Sequence, residues 1–234
     1  MPTDRRIQTA AATAPITASA TRRSPPTGAP RSALDEALRL MGALISYRRN
    51  EEIYGEDEPA EFVYLVVSGA VRTYKLLSDG RRQIAAFRLP GNIFGLEAAD
   101  THAFTAEAIA DSNIIVLKRT ALMALAGRDG AVARDMWTQT ARDLGRVQDL
   151  LLLLGRKSAR ERVATFLLEM AERVADDGAI ELPMSRQDIA DYLGLTIETV
   201  SRTLSQMEQA ATIALPSCRR IELRNRNLLA RLDH

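Results

Sequence analysis

Apolar residues recur at helical spacing at Leu34, Leu38 and Met41, behind a serine, Ser32, that suits an N-cap, so a short helix is predicted over 32–41. The period then falls towards two. Phe62-Val-Tyr-Leu-Val-Val67, Ala70-Val-Arg-Thr-Tyr-Lys-Leu76, Gln83-Ile-Ala-Ala-Phe-Arg-Leu89 and Asn113-Ile-Ile-Val-Leu-Lys118 are short runs, β-branched or alternating. Ser68-Gly69, Asp79-Gly80 and Pro90-Gly91 punctuate them as turn dipeptides, because glycine accepts positive φ. The three glycines fall 11 residues apart, so strands of similar length fold back at regular intervals. The pattern predicts a small antiparallel barrel or roll over about 50–118.

From Arg119 the pattern is helical for some 55 residues. Trp137, Thr140, Leu144, Val147, Leu151 and Leu154 alternate steps of three and four. Such a stripe on one helix needs a partner surface, either its own roll or the same helix of a second subunit. The run Leu150 to Leu154 is apolar on more faces than one roll contact covers, which favours a homodimer. Gly155-Arg-Lys-Ser158 reads as a hinge, Ala159–Val174 as a further helix capped by Ser158, Asp176-Asp-Gly178 as its end and Ala179–Leu182 as a strand.

The segment from Ser185 to Leu204 carries the most information. Ser185 and Asp188 make a capping-box-like start, and Ile189, Ala190 and Leu193 form a short apolar face. Gly194 supplies a tight turn, Leu195 plugs it, and Thr196 caps a second helix that buries Ile197 or Val200 together with Leu204 and Met207. Two short helices joined in this way form a helix-turn-helix, whose second helix can enter a DNA major groove. Its outward residues suit base reading. Arg202 can pair with guanine O6 and N7, Glu198 can accept from cytosine N4 and orient Arg202 one turn on, and Ser201 is small enough for a base edge. Ser185, Arg186, Gln187, Thr196 and Thr199 are placed for phosphates. Residues 210–225 read as two strands around Leu215-Pro-Ser-Cys-Arg-Arg220, a wing with Arg219 and Arg220 at its tip for the DNA backbone.

The fold class is therefore α+β. A disordered tail is expected over 1–31, an antiparallel β-roll domain over 32–128, a dimerisation helix over 129–155 and a winged helix-turn-helix over 156–234.

Composition narrows the function by exclusion. With 46% hydrophobic and 26% charged residues the chain reads as soluble, and its apolar runs fall far short of the roughly 20 residues that span a bilayer. Its N-terminal stretch has no secretory apolar core, so a cytoplasmic location is expected. One cysteine, Cys218, and two histidines, His102 and His234, exclude an internal disulfide, a cysteine cluster and a His-rich metal centre, so neither cofactor nor metal is expected. A net charge of +1 gives DNA binding no general support, which leaves the local arrangement to carry it.

The roll with regular glycines, the long helix, Asp191-Tyr-Leu-Gly-Leu-Thr196 and Glu198-Thr-Val-Ser-Arg202 together resemble the CRP/FNR superfamily of bacterial regulators over about 35–232. The resemblance implies a sequence-specific transcription regulator, an activator that contacts RNA polymerase through surface loops. Asp79, Arg81 and Arg82 lie in a loop matching one of these, which reads equally as an ordinary charged hairpin tip. Two departures matter. The cyclic-nucleotide branch carries Gly-Glu-Leu and a later Arg-Ser for the phosphate. This chain has Gly95-Leu96-Glu97 and Phe104-Thr105, so no cyclic nucleotide is expected. It also lacks the cysteines of the iron–sulfur oxygen sensors. What remains resembles the cluster-free FixK-type branch, which controls microaerobic, denitrification or nitrogen-fixation genes. In FNR-like members the serine matching Ser201 implies a TTGAT-N4-ATCAA palindrome, with half-sites about 34 Å apart.

Rival readings are a regulator gated by a small ligand or haem in the roll, with His102 as axial ligand, a cupin-like enzyme, and an interaction scaffold. A lone loop histidine is ordinarily solvated, a cupin centre needs several His and carboxylate ligands, and the Glu198–Ser205 face lacks an aromatic or aliphatic anchor. Cys218, beside two arginines, has a redox reading in which oxidation places negative charge near DNA, against the default of a passive thiol.

Overall fold

The computed structural model describes residues 31–176 and 179–232. The expected tail (save Arg31), two residues of the Asp176–Gly178 turn and His234 lie outside the described residues. Helix α1 (Ala33–Met41) begins as predicted: the Ser32 hydroxyl accepts from the Asp35 N–H at 3.1 Å, and Asp35 and Glu36 face the positive helix start. Eight strands follow: β1 (Ala43–Tyr47), β2 (Glu52–Tyr54), β3 (Phe62–Ser68), β4 (Val71–Leu76), β5 (Arg82–Arg88), β6 (Ile93–Phe94), β7 (Thr105–Ala108) and β8 (Ser112–Lys118). They form two antiparallel sheets, ordered β1-β8-β3-β6 and β2-β7-β4-β5. The roll thus starts at Ala43, earlier than the glycine spacing indicated.

Strand β3 shows why its run is continuously apolar. Val63 and Leu65 pack with Leu34, Leu38 and Leu122 from helices outside the roll, whereas Tyr64 and Val66 pack inward with Tyr54, Phe94 and Ile114. Both faces are buried, so alternation appears in the partners and not in polarity. The glycines at 69, 80 and 91 have φ of 85°, 84° and 86°, the left-handed turns anticipated. Gly69 is also crowded. A Cβ there would overlap the Ser112 hydroxyl and lie 2.6 Å from the Asp111 carbonyl oxygen. That hydroxyl accepts from Ala70 N–H at 3.0 Å, so Gly69→Ala should lower stability by more than about 1 kcal/mol in urea titration. A variant as stable as the parent would mean the turn relaxes freely.

Helix α2 (Arg119–Ala126) leads to α3 (Gly130–Arg156), whose 27 residues extend about 40 Å. The hinge lies later than read: α3 runs through Gly155 and Arg156, and the chain turns at Lys157 and Ser158. Ser158 and Glu161 exchange hydrogen bonds at the start of α4 (Ala159–Val174). Then come β9 (Ala175–Asp176), β10 (Ala179–Glu181), α5 (Arg186–Leu193), α6 (Ile197–Gln209), β11 (Ile213–Ala214), β12 (Arg220–Leu223) and α7 (Arg226–Leu232), with the strands ordered β11-β12-β10-β9. The core does not stop at the hinge. Ile84 and Phe87 of β5 share one buried cluster with Phe166 and Leu167 of α4, and the Phe87 ring lies 5.3 Å from that of Tyr192. No helix among the described residues is long and apolar enough to cross a membrane.

Candidate nucleic-acid interface

Helix α5 begins with a full capping box: Ser185 Oγ accepts from the Asp188 N–H at 3.1 Å, and the Asp188 carboxylate accepts from the Ser185 N–H at 2.9 Å. Gly194, at φ 62°, ends it in the left-handed conformation that most side chains resist. Thr196 then caps α6, its hydroxyl accepting from the Thr199 N–H at 3.2 Å. Of the two residues the sequence left open, Val200 is buried and Ile197 is 36% exposed; Leu204 and Met207 are buried as expected, and Thr203 joins them. Glu198, Arg202 and Ser205 face outward, with Ser201 and Thr199 half-buried at the edge of that face.

The expected Glu198–Arg202 pair does not form, and neither head has a hydrogen-bond partner among the described residues. An exposed i,i+4 pair is worth only about 0.3–0.5 kcal/mol, too little to hold two long side chains against solvent. Both heads are therefore available to a ligand. Gln187, Thr196 and Arg220 are exposed, while Arg186 and Arg219 are half-buried. Ser185 differs from its expected role: its N–H and hydroxyl both donate to Asp188, at 2.9 and 2.6 Å, which leaves no donor for a phosphate. In the wing, Ser217 Oγ accepts from the Arg219 and Arg220 N–H groups, at 3.4 and 3.1 Å, and Cys218 is exposed at the tip.

Sequence reasoning missed how α5 is held. Asp188 is buried, and besides Ser185 it accepts from Arg72 of β4 and, at 3.0 Å, from Arg82 of β5. Burial alone would raise its pKa; the Ser185 hydrogen bonds and the two guanidinium charges outweigh it and hold the carboxyl below its usual value. Arg82 is thus a correction to the polymerase-loop reading. It is directed into α5, also bonding Asp191 at 2.8 Å, and only Asp79 and Arg81 remain at the exposed turn, paired at 2.7 Å.

Along α3, Trp137, Leu144, Val147 and Leu151 are 76, 58, 60 and 71% exposed, and Thr140 is exposed beside them. Leu154 departs from the stripe: it is half-buried against the C-terminal core, while Leu152, which the spacing passed over, is 62% exposed. His102 corrects the solvated-loop reading. It is buried, stacked 3.6 Å from the Tyr54 ring, with Nδ1 3.4 Å from the Glu97 carboxylate, so an axial role for haem would require that stack to open.

A β-roll joined by a long helix to a winged helix-turn-helix with a free polar reading face defines a DNA-binding transcription regulator. Residues 161–232 match the Crp-like helix-turn-helix domain family and residues 44–129 the cyclic nucleotide-binding domain family. The chain is 50% identical over 203 residues to the nitrogen fixation regulation protein FixK of Azorhizobium caulinodans, covering 85% of this chain and 82% of that one. It is 41% identical over 184 residues to the transcriptional activatory protein AadR of Rhodopseudomonas palustris, covering 77% of each. It is also similar to the structure of FixK2 from Bradyrhizobium japonicum, with a TM-score of 0.81, 58% identity, and coverage of 83% of this chain and 98% of that one. The chain belongs to the CRP/FNR family of transcription regulators, in its FixK-like branch.

Proposed function

We propose that the protein binds a TTGAT-N4-ATCAA palindrome as a homodimer in the cytoplasm and activates transcription there without a small ligand. The observation that carries this reading is the unpaired, outward pair Glu198 and Arg202 on a helix whose other side is locked by Val200, Leu204 and Met207. Arg202 donates to guanine O6 and N7, Glu198 accepts from cytosine N4, and Ser201 lies against the neighbouring base edge. Arg186, Gln187, Thr196, Thr199, Arg219 and Arg220 fix the register on phosphates. The α3 stripe of Trp137, Leu144, Val147 and Leu151 joins the two subunits, and the Asp79–Arg81 turn faces RNA polymerase. Similarity to nitrogen fixation regulators supports genes of nitrogen fixation or microaerobic respiration as targets, and similarity to an activatory protein supports activation. Gly95-Leu96-Glu97 and Phe104-Thr105 bring no cation to a cyclic phosphate, which supports action without that ligand.

Fluorescence anisotropy of the purified protein on that duplex, at one fixed salt concentration, tests the reading. Tight binding without cAMP is expected. Arg202→Ala, or a change at the guanine pair, should each weaken it by about 1–3 kcal/mol. Equal affinity for a scrambled duplex would overturn the half-site, and a requirement for cAMP would overturn ligand-free action.

A further inference from the structure

We propose that Arg72 and Arg82 of the roll are positioning residues for DNA binding: clamped on Asp188 and Asp191, they set the direction in which α6 presents Glu198 and Arg202. Asp188, Asp191 and Tyr192 lie at i, i+3 and i+4, so they share the face of α5 that meets β5. Arg72 bridges Asp188 and Glu107 of β7, the latter at 2.7 Å, which ties the clamp into the roll's sheet. Arg82 spans Asp188 and Asp191, one turn apart, and Gln83 Nε2 donates to the Tyr192 carbonyl oxygen at 3.3 Å. The Tyr74 ring lies under both guanidinium groups, 5.6 and 5.5 Å from them, and so limits their swing.

An apolar contact between Phe87 and Tyr192 already joins the two domains, and burying carboxylates beside it adds desolvation cost. What the charges add is direction. Side-chain packing tolerates sliding and rotation of a short helix, whereas two carboxylates a turn apart on two anchored guanidiniums fix its rotation about its own axis. Helix α5 passes that orientation on, because Leu193, Val200 and Leu204 share one core and only three residues separate α5 from α6. The clamp thereby supplies from within the chain an orientation that a bound ligand would otherwise have to select.

The proposal rests on the DNA-reading assignment of α6, and the full-length protein tests it. Cys218 is the only cysteine and is exposed on the wing, so a spin label there reports the wing-to-wing distance in a dimer. The parent should give one narrow distance distribution without DNA. Arg82→Glu and Asp191→Arg should each broaden it and weaken palindrome binding by about tenfold. The charge-exchanged double variant should recover only part of the order and affinity, because Asp188 still faces the new carboxylate at position 82. Arg82→Gln, which removes the clamp without reversing charge, should fall between, and circular dichroism checks that each variant is folded. Tighter DNA binding by Arg82→Glu would overturn the proposal, as would unchanged distances in Arg82→Glu and Arg82→Gln. Arg202→Ala should weaken binding without moving the wings, so failure of the α6 assignment shows separately. If the parent proves monomeric, a second label at exposed Ser78, introduced by Ser78→Cys, reads the same clamp within one chain.

Discussion

Replacing Leu144 and Leu151 together with glutamate should convert the protein to a monomer and lower its affinity for the full palindrome by about 10²–10⁴-fold. Both side chains stand on one side of α3 with more than half of their surface open, 58 and 71%, between Trp137 and Leu152 at 76 and 62%. A lone helix that exposes so much apolar surface has no solvation reason to do so, and a second copy of the stripe covers it in the simplest symmetric way. In the proposed dimer, glutamate at these positions would place two like charges against two like charges across the two-fold axis. Each half-site is then bound separately, and the second no longer gains from the proximity of the first. Sedimentation velocity and anisotropy, run on the same preparation, read the two effects. A variant that stays dimeric would remove α3 as the interface, and one that is monomeric yet binds the palindrome as tightly as the parent would remove the dimer as the DNA-binding unit.

Phe166→Ala should cost about 3–5 kcal/mol and lower the melting temperature by roughly 10 °C. Phe166 is 1% exposed and sits 6.3 Å from the Phe87 ring of the roll and 5.9 Å from Tyr192 of α5. Three aromatic rings from three elements meet there, and neither β5 nor α5 can close on the space without giving up its own hydrogen bonds. Because the ring belongs to a cluster that includes both β5 and the helix-turn-helix, the expected change is a shift of one transition. Differential scanning calorimetry reads this directly. A melt that splits into an early C-terminal transition and an unaltered roll transition would show that the two parts unfold independently.

Much of the architecture was legible because local chemistry decides it. Glycines 11 residues apart could satisfy their turns only with strands of matching length, and Ser185, Gly194 and Thr196 each bear the residue type that a cap or a left-handed turn demands. Strands β1, β2, β6 and β7 were not legible. Strand β6 is two residues long, and β7, Thr-Ala-Glu-Ala, consists mainly of helix formers that pairing with β2 and β4 overrides. Strand β1 lies at a sheet edge with Leu44 and Ile45 exposed, so its run shows no alternation. At the site, the reading face of α6 follows from period and capping alone. The clamp does not: Arg72 and Asp188 are 116 residues apart in sequence, and an arginine in a strand looks like any solvated one. His102 was misread for the same reason, since nothing near it in sequence announces the Tyr54 ring that covers it.

The shared core has a consequence for how such regulators can be recombined. Phe87 fills a space shaped by Phe166 and Tyr192, and Arg72 and Arg82 both reach across to carboxylates on α5. A roll transplanted from a relative to create a new sensor would arrive without those counterparts, and a grafted helix-turn-helix would leave them unmatched. The unit that can be exchanged is therefore smaller than a domain. The outward face of α6 can change its target sequence without disturbing the seam, while roll, α4 and α5 have to be moved together.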